Sequence, residues 1–141
     1  MKKFTSKTQQ VGEIGEKLAE RKLLKLGFKI LERNYTKQGG EIDIVAKKGK
    51  KIHFVEVKSV SCEISRQNNN GNVTRVTKSG YRPEENLSFH KFLKIARTVD
   101  IYLLENNVSG ETLWQIDLAC VYIDVNKKIG RVEILDNIIL L

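Results

Sequence analysis

Two neighbouring stretches decide most of what this chain can become: Gly40-Glu41-Ile42-Asp43-Ile44-Val45 and, beyond the basic turn Lys47-Lys48-Gly49-Lys50, Phe54-Val55-Glu56-Val57-Lys58. Side chains alternate faces along a strand. In the first stretch Glu41 and Asp43 point one way, Ile42 and Ile44 the other. In the second, Glu56 and Lys58 share a face and Val55 and Val57 the opposite one. The turn makes 41–59 a hairpin, and pairing allows Asp43, Glu56 and Lys58 to converge. A solvated face of an amphipathic hairpin would show the same alternation. Against that, the neighbours of Glu56 look buried, and a carboxylate and an ammonium among them need partners.

The rest of the chain dresses this hairpin. Gln9 to Leu26 reads as a helix with Val11, Ile14, Gly15, Leu18, Ala19 and Leu26 on one side, closed by Gly27. Phe28 to Asn34 reads as a strand. From about 61 to 86 the periodicity fails across Asn68-Asn69-Asn70-Gly71, Ser79-Gly80 and the single proline, Pro83. This predicts a long flexible loop, of the kind that is functional or disordered in compact domains. Ser88 caps a helix from Phe89 to Glu105 with Phe92, Ala96, Val99 and Leu103 as its buried stripe. Strands follow at Leu113 to Val125 and Arg131 to Leu135, with Ile138 to Leu141 a candidate last one. The order α-β-β-β-α-β-β predicts an α/β or α+β domain, one sheet flanked by helices. A length of 141 residues is about one domain's worth, so 1–141 is expected to be a single domain.

Charge narrows the partner. With 25 Lys+Arg against 17 Asp+Glu the chain carries +8, which favours a polyanion, nucleic acid before an anionic membrane surface. The start MKKFTSKTQQVGE has no apolar run, and no stretch approaches the roughly 20 apolar residues that span a bilayer. A cytoplasmic, membrane-free protein is expected. Cys62 and Cys120 fit no metal spacing and read as free thiols; His53 and His90 have no ligand spacing either.

Asp43, Glu56 and Lys58 are the residue types that phosphodiester hydrolysis calls for. Two carboxylates can hold Mg²⁺, a hard cation that prefers oxygen; the metal polarises the phosphoryl oxygen and lowers the pKa of bound water. A lysine beside it orients the water or stabilises the developing charge. On the first helix, Glu16 falls at the rim of the apolar stripe, able to look inward along the sheet edge, while Glu13 lies near the opposite face. Gly12 and Gly15 sit where glycine costs helix stability, which suggests close approach by another backbone or a ligand.

Taken together, Gly12-Glu13-Ile14-Gly15-Glu16, Gly27-Phe28, Arg33-Asn34, Gly40-Glu41-Ile42-Asp43-Ile44-Val45, Phe54-Val55-Glu56-Val57-Lys58 and Arg82-Pro83-Glu84-Glu85-Asn86 resemble the YraN-like family of predicted bacterial endonucleases. The resemblance covers about residues 10 to 125. It implies a restriction-endonuclease-like fold, similar to archaeal Holliday-junction resolvases, with a central mixed β-sheet flanked by helices. It further implies that Asp43 and Glu56 bind metal, that Lys58 is the catalytic lysine and that Glu16 is the helical acid.

A Mg²⁺-dependent endonuclease acting on DNA is therefore expected, with Mn²⁺ able to substitute and branched or structured DNA among the candidate substrates. Arg66, Arg75, Lys78 and Arg82 in the long loop and Lys91, Lys94 and Arg97 on the second helix are the candidate nucleic-acid contacts. Two other readings stand beside this one. A nuclease-like fold can hold nucleic acid without cutting it, although binding needs cations and not paired carboxylates. An interaction protein can pair through the apolar edge Ile138-Ile139-Leu140-Leu141, giving a homodimer.

Overall fold

The computed structural model describes residues 7–66, 73–77 and 88–138. A first helix, α1 (Lys7–Lys25), leads into an antiparallel meander of β1 (Lys29–Lys37), β2 (Gly40–Lys48) and β3 (Lys51–Ser61). Two short strands, β4 (Glu63–Arg66) and β5 (Val73–Thr77), precede the second helix α2 (Phe89–Glu105), which is followed by β6 (Trp114–Asp124) and β7 (Ile129–Leu135). The main sheet has the order β1-β2-β3-β6-β7. Among the described residues only β3 and β6 pair in parallel, from Ile52 opposite Trp114 to Ser61 opposite Ile123; the other pairs are antiparallel. The chain is thus an α/β protein with a five-stranded mixed sheet between two helices, the layout of restriction-endonuclease-like folds.

Each helix covers one side of the sheet. On the α2 side, Ile95, Val99 and Tyr102 pack on Tyr35, Ile42, Val45, Ile52, Phe54 and Ile116. On the α1 side, Ala19 and Leu23 pack on Ile44, Ala46, Val55, Ala119, Val121 and Ile123. Tyr35, Phe54, Tyr102 and Trp114 meet edge to face, the arrangement aromatic quadrupoles favour. Ser88 caps α2 by accepting from the Lys91 N–H at 3.2 Å. At the end of α1, Gly27 adopts φ +92° while the Phe28 N–H reaches back to the Leu23 carbonyl at 3.0 Å, a glycine-dependent C-terminal turn.

Three expectations need correction here. The buried side of α2 is Ile95, Thr98, Val99 and Tyr102, so of the expected stripe only Val99 is fully buried and Phe92, Ala96 and Leu103 lie half-buried beside it. The buried row of α1 is Gly15, Ala19 and Leu23, at i, i+4 and i+8, so Ile14 and Leu26 fall outside it and are exposed. The span 61–86 is not all loop: β4 and β5 pair antiparallel within it, Glu63 opposite Thr77. Val73-Thr74-Arg75-Val76-Thr77 is β-branched at four of five positions, which suits a strand. Residues 67–72, 78–87 and 139–141 lie outside the described residues, and with them the Asn/Gly-rich run, Pro83 and most of the apolar C-terminal edge.

Candidate active site

The site forms where β2 leaves β3. Their backbone ladder runs from Lys48 opposite Lys51 to Ile44 opposite Val55 and stops there. The next side chain on β2, Asp43, takes over: its carboxylate accepts from the Val57 N–H at 2.8 Å. The two strands separate because β2 turns over. Ile44 belongs to the α1-side core, but Ile42, two residues away, belongs to the α2-side core with Val45. Regular alternation would put Ile42 and Ile44 on one face, as expected from the sequence; the structure divides them. Strand β1 turns over at the same level. Arg33 pairs with Glu20 of α1, whereas Tyr35 is buried on the α2 side. Between them Asn34 adopts φ +51°. With Arg33 opposite Ile44 and Tyr35 opposite Ile42, Asn34 stands across from Asp43.

This reversal opens a wedge that residues from both sides can enter. On β3 the alternation stays regular, with Val55 and Val57 on the α1 side, so Glu56 and Lys58 share a face. Lys58 Nζ lies 3.5 Å from Glu56 Oε1. Glu16 arrives from α1, which is pressed against β3 one residue earlier. A Cβ on Gly15 would fall 1.7 Å from Ser59 Oγ and 2.8 Å from Ser59 Cβ, so only glycine allows this approach. That is the close contact the glycine pattern suggested. Gly12, by contrast, has nothing within 4 Å of where a Cβ would be.

Asp43 therefore stands between Glu16 and Glu56 and interacts with both. Burial and the adjacent Asp43 push the Glu56 carboxyl up to about 8, with Lys58 pulling the other way. Burial and Asp43 raise Glu16 to about 7. Asp43 is itself raised by burial, an effect opposed by the Val57 N–H, by its two carboxyl neighbours and by Lys58. All four groups line an open cleft of about 1100 Å³, together with Gln9, Gly12, Glu13, Asn34, Thr36, Glu41 and 57–61. The sequence places Glu13 away from the buried stripe, yet it too lines the cleft, its carboxylate 3.6 Å from Lys17.

Of the expected nucleic-acid contacts, those on α2 are not among the described residues that line this cleft. Lys91, Lys94 and Arg97 are exposed on α2. Lys94 and Arg97 line a separate small hollow with Lys37, Gln38 and Gly40 at the β1–β2 turn. There α2 crosses close, a Cβ on Gly40 falling 2.1 Å from Thr98 Oγ1. The side chains of Arg66, Arg75, Lys78 and Arg82 lie outside the described residues.

A second polar cluster escapes sequence reading. Ligand atoms of His53, Asp117 and Asp136 lie within 4.8 Å of one another. Both oxygens of Asp117, one of Asp136 and Nδ1 of His53 already have partners. His53 Nδ1 lies 2.7 Å from Asp117 Oδ2, and Asp117 Oδ1 accepts from Gln115 Nε2 at 2.7 Å and from the Asn137 N–H at 2.8 Å. Gln115 Nε2 also donates to Asp136, and Lys51 donates to Gln115 Oε1 at 2.7 Å. Phe28 closes over His53 edge to face at 4.8 Å. This network, buried at His53, Gln115 and Asp117 and exposed at Asp136, ties β3, β6 and the segment after β7, and its hydrogen bonds are the form in which buried polar groups are tolerated. The lone histidine carried no spacing signal because its partner is 64 residues away.

Comparison with known proteins places the chain. The family described as "Uncharacterised protein family UPF0102" matches residues 15–125. The chain belongs to UPF0102. This is the YraN family to which the linked sequence blocks point. A UPF0102 protein of Clostridioides difficile (strain 630) is 39% identical over 124 residues, 88% of this chain and 94% of that one. One from Campylobacter jejuni subsp. jejuni (strain 81-176) is 39% identical over 114 residues, 81% and 85% of the two chains. Another, from Campylobacter fetus subsp. fetus (strain 82-40), is 36% identical over 107 residues, 76% and 79%. Among the described residues no helix is long and apolar enough to cross a membrane.

Proposed function

We propose that this chain is a divalent-metal-dependent endonuclease that hydrolyses phosphodiester bonds in DNA, working in the cytoplasm. One observation carries the reading: Asp43, Glu56, Lys58 and Glu16, from three different elements, line one open cleft, and two of the carboxyls are held well above their ordinary range. Carboxylates that resist ionising together are the groups a cation relieves. The donor set fits Mg²⁺ or Mn²⁺, since Asp43 and Glu56 offer hard oxygen ligands and the open cleft leaves room for the waters Mg²⁺ retains. A bound cation supplies polarisation of a phosphoryl oxygen and a water of lowered pKa.

The chain's own residues complete the chemistry. Asp43 is fixed by the Val57 N–H, which holds its carboxylate in place between Glu16 and Glu56 at the cleft. Lys58 Nζ donates to the phosphoryl oxygens as negative charge develops on them. Glu16, with a carboxyl near neutrality, is matched to accept a proton from the attacking water. The excess of positive charge elsewhere on the chain, +8 in total, draws a polyanion toward a cleft whose own walls are acidic.

The test is incubation of the purified protein with linear, single-stranded and branched DNA, and with RNA, in Mg²⁺, Mn²⁺ or EDTA. Metal-dependent nicking of DNA is expected. A protein that binds the panel with salt-sensitive affinity and cuts none of it is a nucleic-acid-binding module on a nuclease-like fold.

A further inference from the structure

We infer that Asn34 is a substrate-positioning residue, its carboxamide donating to a non-bridging oxygen of the phosphodiester that enters beside Asp43. The inference rests on the nuclease reading of the same cleft and names the group that receives the phosphate.

Three observations carry it. Asn34 falls between the pairs Arg33–Ile44 and Tyr35–Ile42, level with Asp43 on the neighbouring strand, and both residues line the main cleft. A phosphate in contact with one is therefore within reach of the other. Asn34 is also held in the left-handed region, φ +51°, in the middle of a strand, where both β1 and β2 turn over. Such conformations, which asparagine enters more readily than most residues, cluster at functional clefts, and this one lies where the wedge opens. Finally, Asn34 lines both the main cleft and the adjoining hollow formed by Glu13, Glu16, Lys17, Glu20, Arg33 and Asp43.

Charge explains why an amide suits this position. The main cleft is walled by Glu13, Glu16, Glu41, Asp43 and Glu56 against Lys58. A phosphate there needs donors, and another carboxylate would repel it. A lysine would pair with the acids and compete with a metal. A neutral NH₂ group donates to phosphate without either penalty.

Asparagine also tolerates left-handed backbone better than most residues, so its backbone alone is a sufficient reason for its presence. Glycine separates the two roles, because it adopts this conformation freely and has no amide. The experiment compares the unaltered protein with Asn34→Gly, Asn34→Ala and Asn34→Asp by thermal melting, by DNA binding in EDTA across a salt series, and by single-turnover nicking in Mn²⁺. Asn34→Gly is expected to melt like the unaltered protein, yet to lose about tenfold to a hundredfold in DNA affinity and cleavage, the value of a hydrogen bond to a charged group. The log–log salt slope should stay unchanged, because no phosphate-neutralising cation is removed. Asn34→Asp should fall further than Asn34→Gly.

Asn34→Gly with full affinity and full rate, beside an Asn34→Ala that melts early, would assign the residue to backbone conformation alone and overturn the inference. Failure of the nuclease reading looks different, since the unaltered protein would then cut no member of the panel, whether or not it binds.

Discussion

Asp43→Asn keeps the shape of a side chain that accepts from the Val57 N–H but removes one negative charge from the wedge. Metal affinity is expected to fall, cleavage to fall by about a hundredfold or more, and metal-free DNA affinity to hold or rise. Lys58→Ala should silence cleavage as well, yet weaken metal-free binding through the lost cation. A binding titration in EDTA beside a nicking assay in Mn²⁺ checks both; an Asp43→Asn protein unchanged in metal uptake would remove Asp43 from the site. Gly15→Ala tests the positioning of Glu16. The added methyl meets Ser59 Cβ at 2.8 Å, which no rotation about χ1 relieves. Overpacking of this kind costs about 1–3 kcal/mol, read by urea denaturation, and cleavage should fall with it; Ser59→Gly in the same chain should restore part of both. Glu56 and Lys58 were legible because strand alternation is a local code, and Glu16 because its place on the helical wheel is one too; Asp43 reaches them although β2 turns over beside it. The His53–Asp117 pair was not, since it depends on the register of two parallel strands, which no nearby residue announces.

Helix α2 was legible to both ends, Phe89 and Glu105, because Ser88 is a strong cap, but its buried face was not: Ile95, Thr98 and Tyr102 face the sheet beside Val99, where the sequence pointed to Phe92, Ala96 and Leu103. Nor was the turnover of β1 and β2 legible. A two-residue period read along Ile42-Asp43-Ile44 predicts one shared face, and only packing shows the strand rotating between them. Strands β4 and β5 were read as part of a loop because each is four or five residues long and the sequence between them is rich in Asn and Gly. What holds β4 lies elsewhere in the chain. The Asp124 carboxylate accepts from the Ile64 N–H at 3.0 Å and from the Lys127 N–H at 3.1 Å, while Lys127 Nζ donates to the Ile64 carbonyl at 2.8 Å. The Ile64 N–H bond is the first reason the Asp124 carboxyl sits below its ordinary range. Asp124→Ala should therefore release β4 without unfolding the main sheet. Hydrogen exchange at Ile64 is expected to accelerate about tenfold or more while Phe54 and Leu118 stay protected. Equal loss of protection throughout would mean that β4 and the sheet open as one unit.

On the scale of the whole molecule the wedge sets a dependence of stability on pH. Glu56 moves from 4.5 to about 8 on folding and Glu16 from 4.5 to about 7. Between those values the folded protein holds protons that the unfolded chain releases, so stability declines as pH rises through this window. In EDTA, Tm should drop between pH 5 and pH 8 by roughly 5 °C or more relative to Glu56→Gln, which cannot ionise. Mg²⁺ or Mn²⁺ at pH 8 should recover the loss by binding only the folded form. Parallel Tm profiles for the two proteins would show that Glu56 does not titrate in this range. The pairing of β3 with β6 adds a consequence in time. Glu16, Asp43, Glu56 and Lys58 all belong to the first half of the chain, but β3 finds its parallel partner only at Trp114 to Ile123, some sixty residues later. Contacts so distant along the chain form late. A ribosome would therefore have threaded out every residue of the wedge well before the strand that steadies Glu56 and Lys58 exists, and the wedge would stay unassembled until some sixty further residues had followed it out.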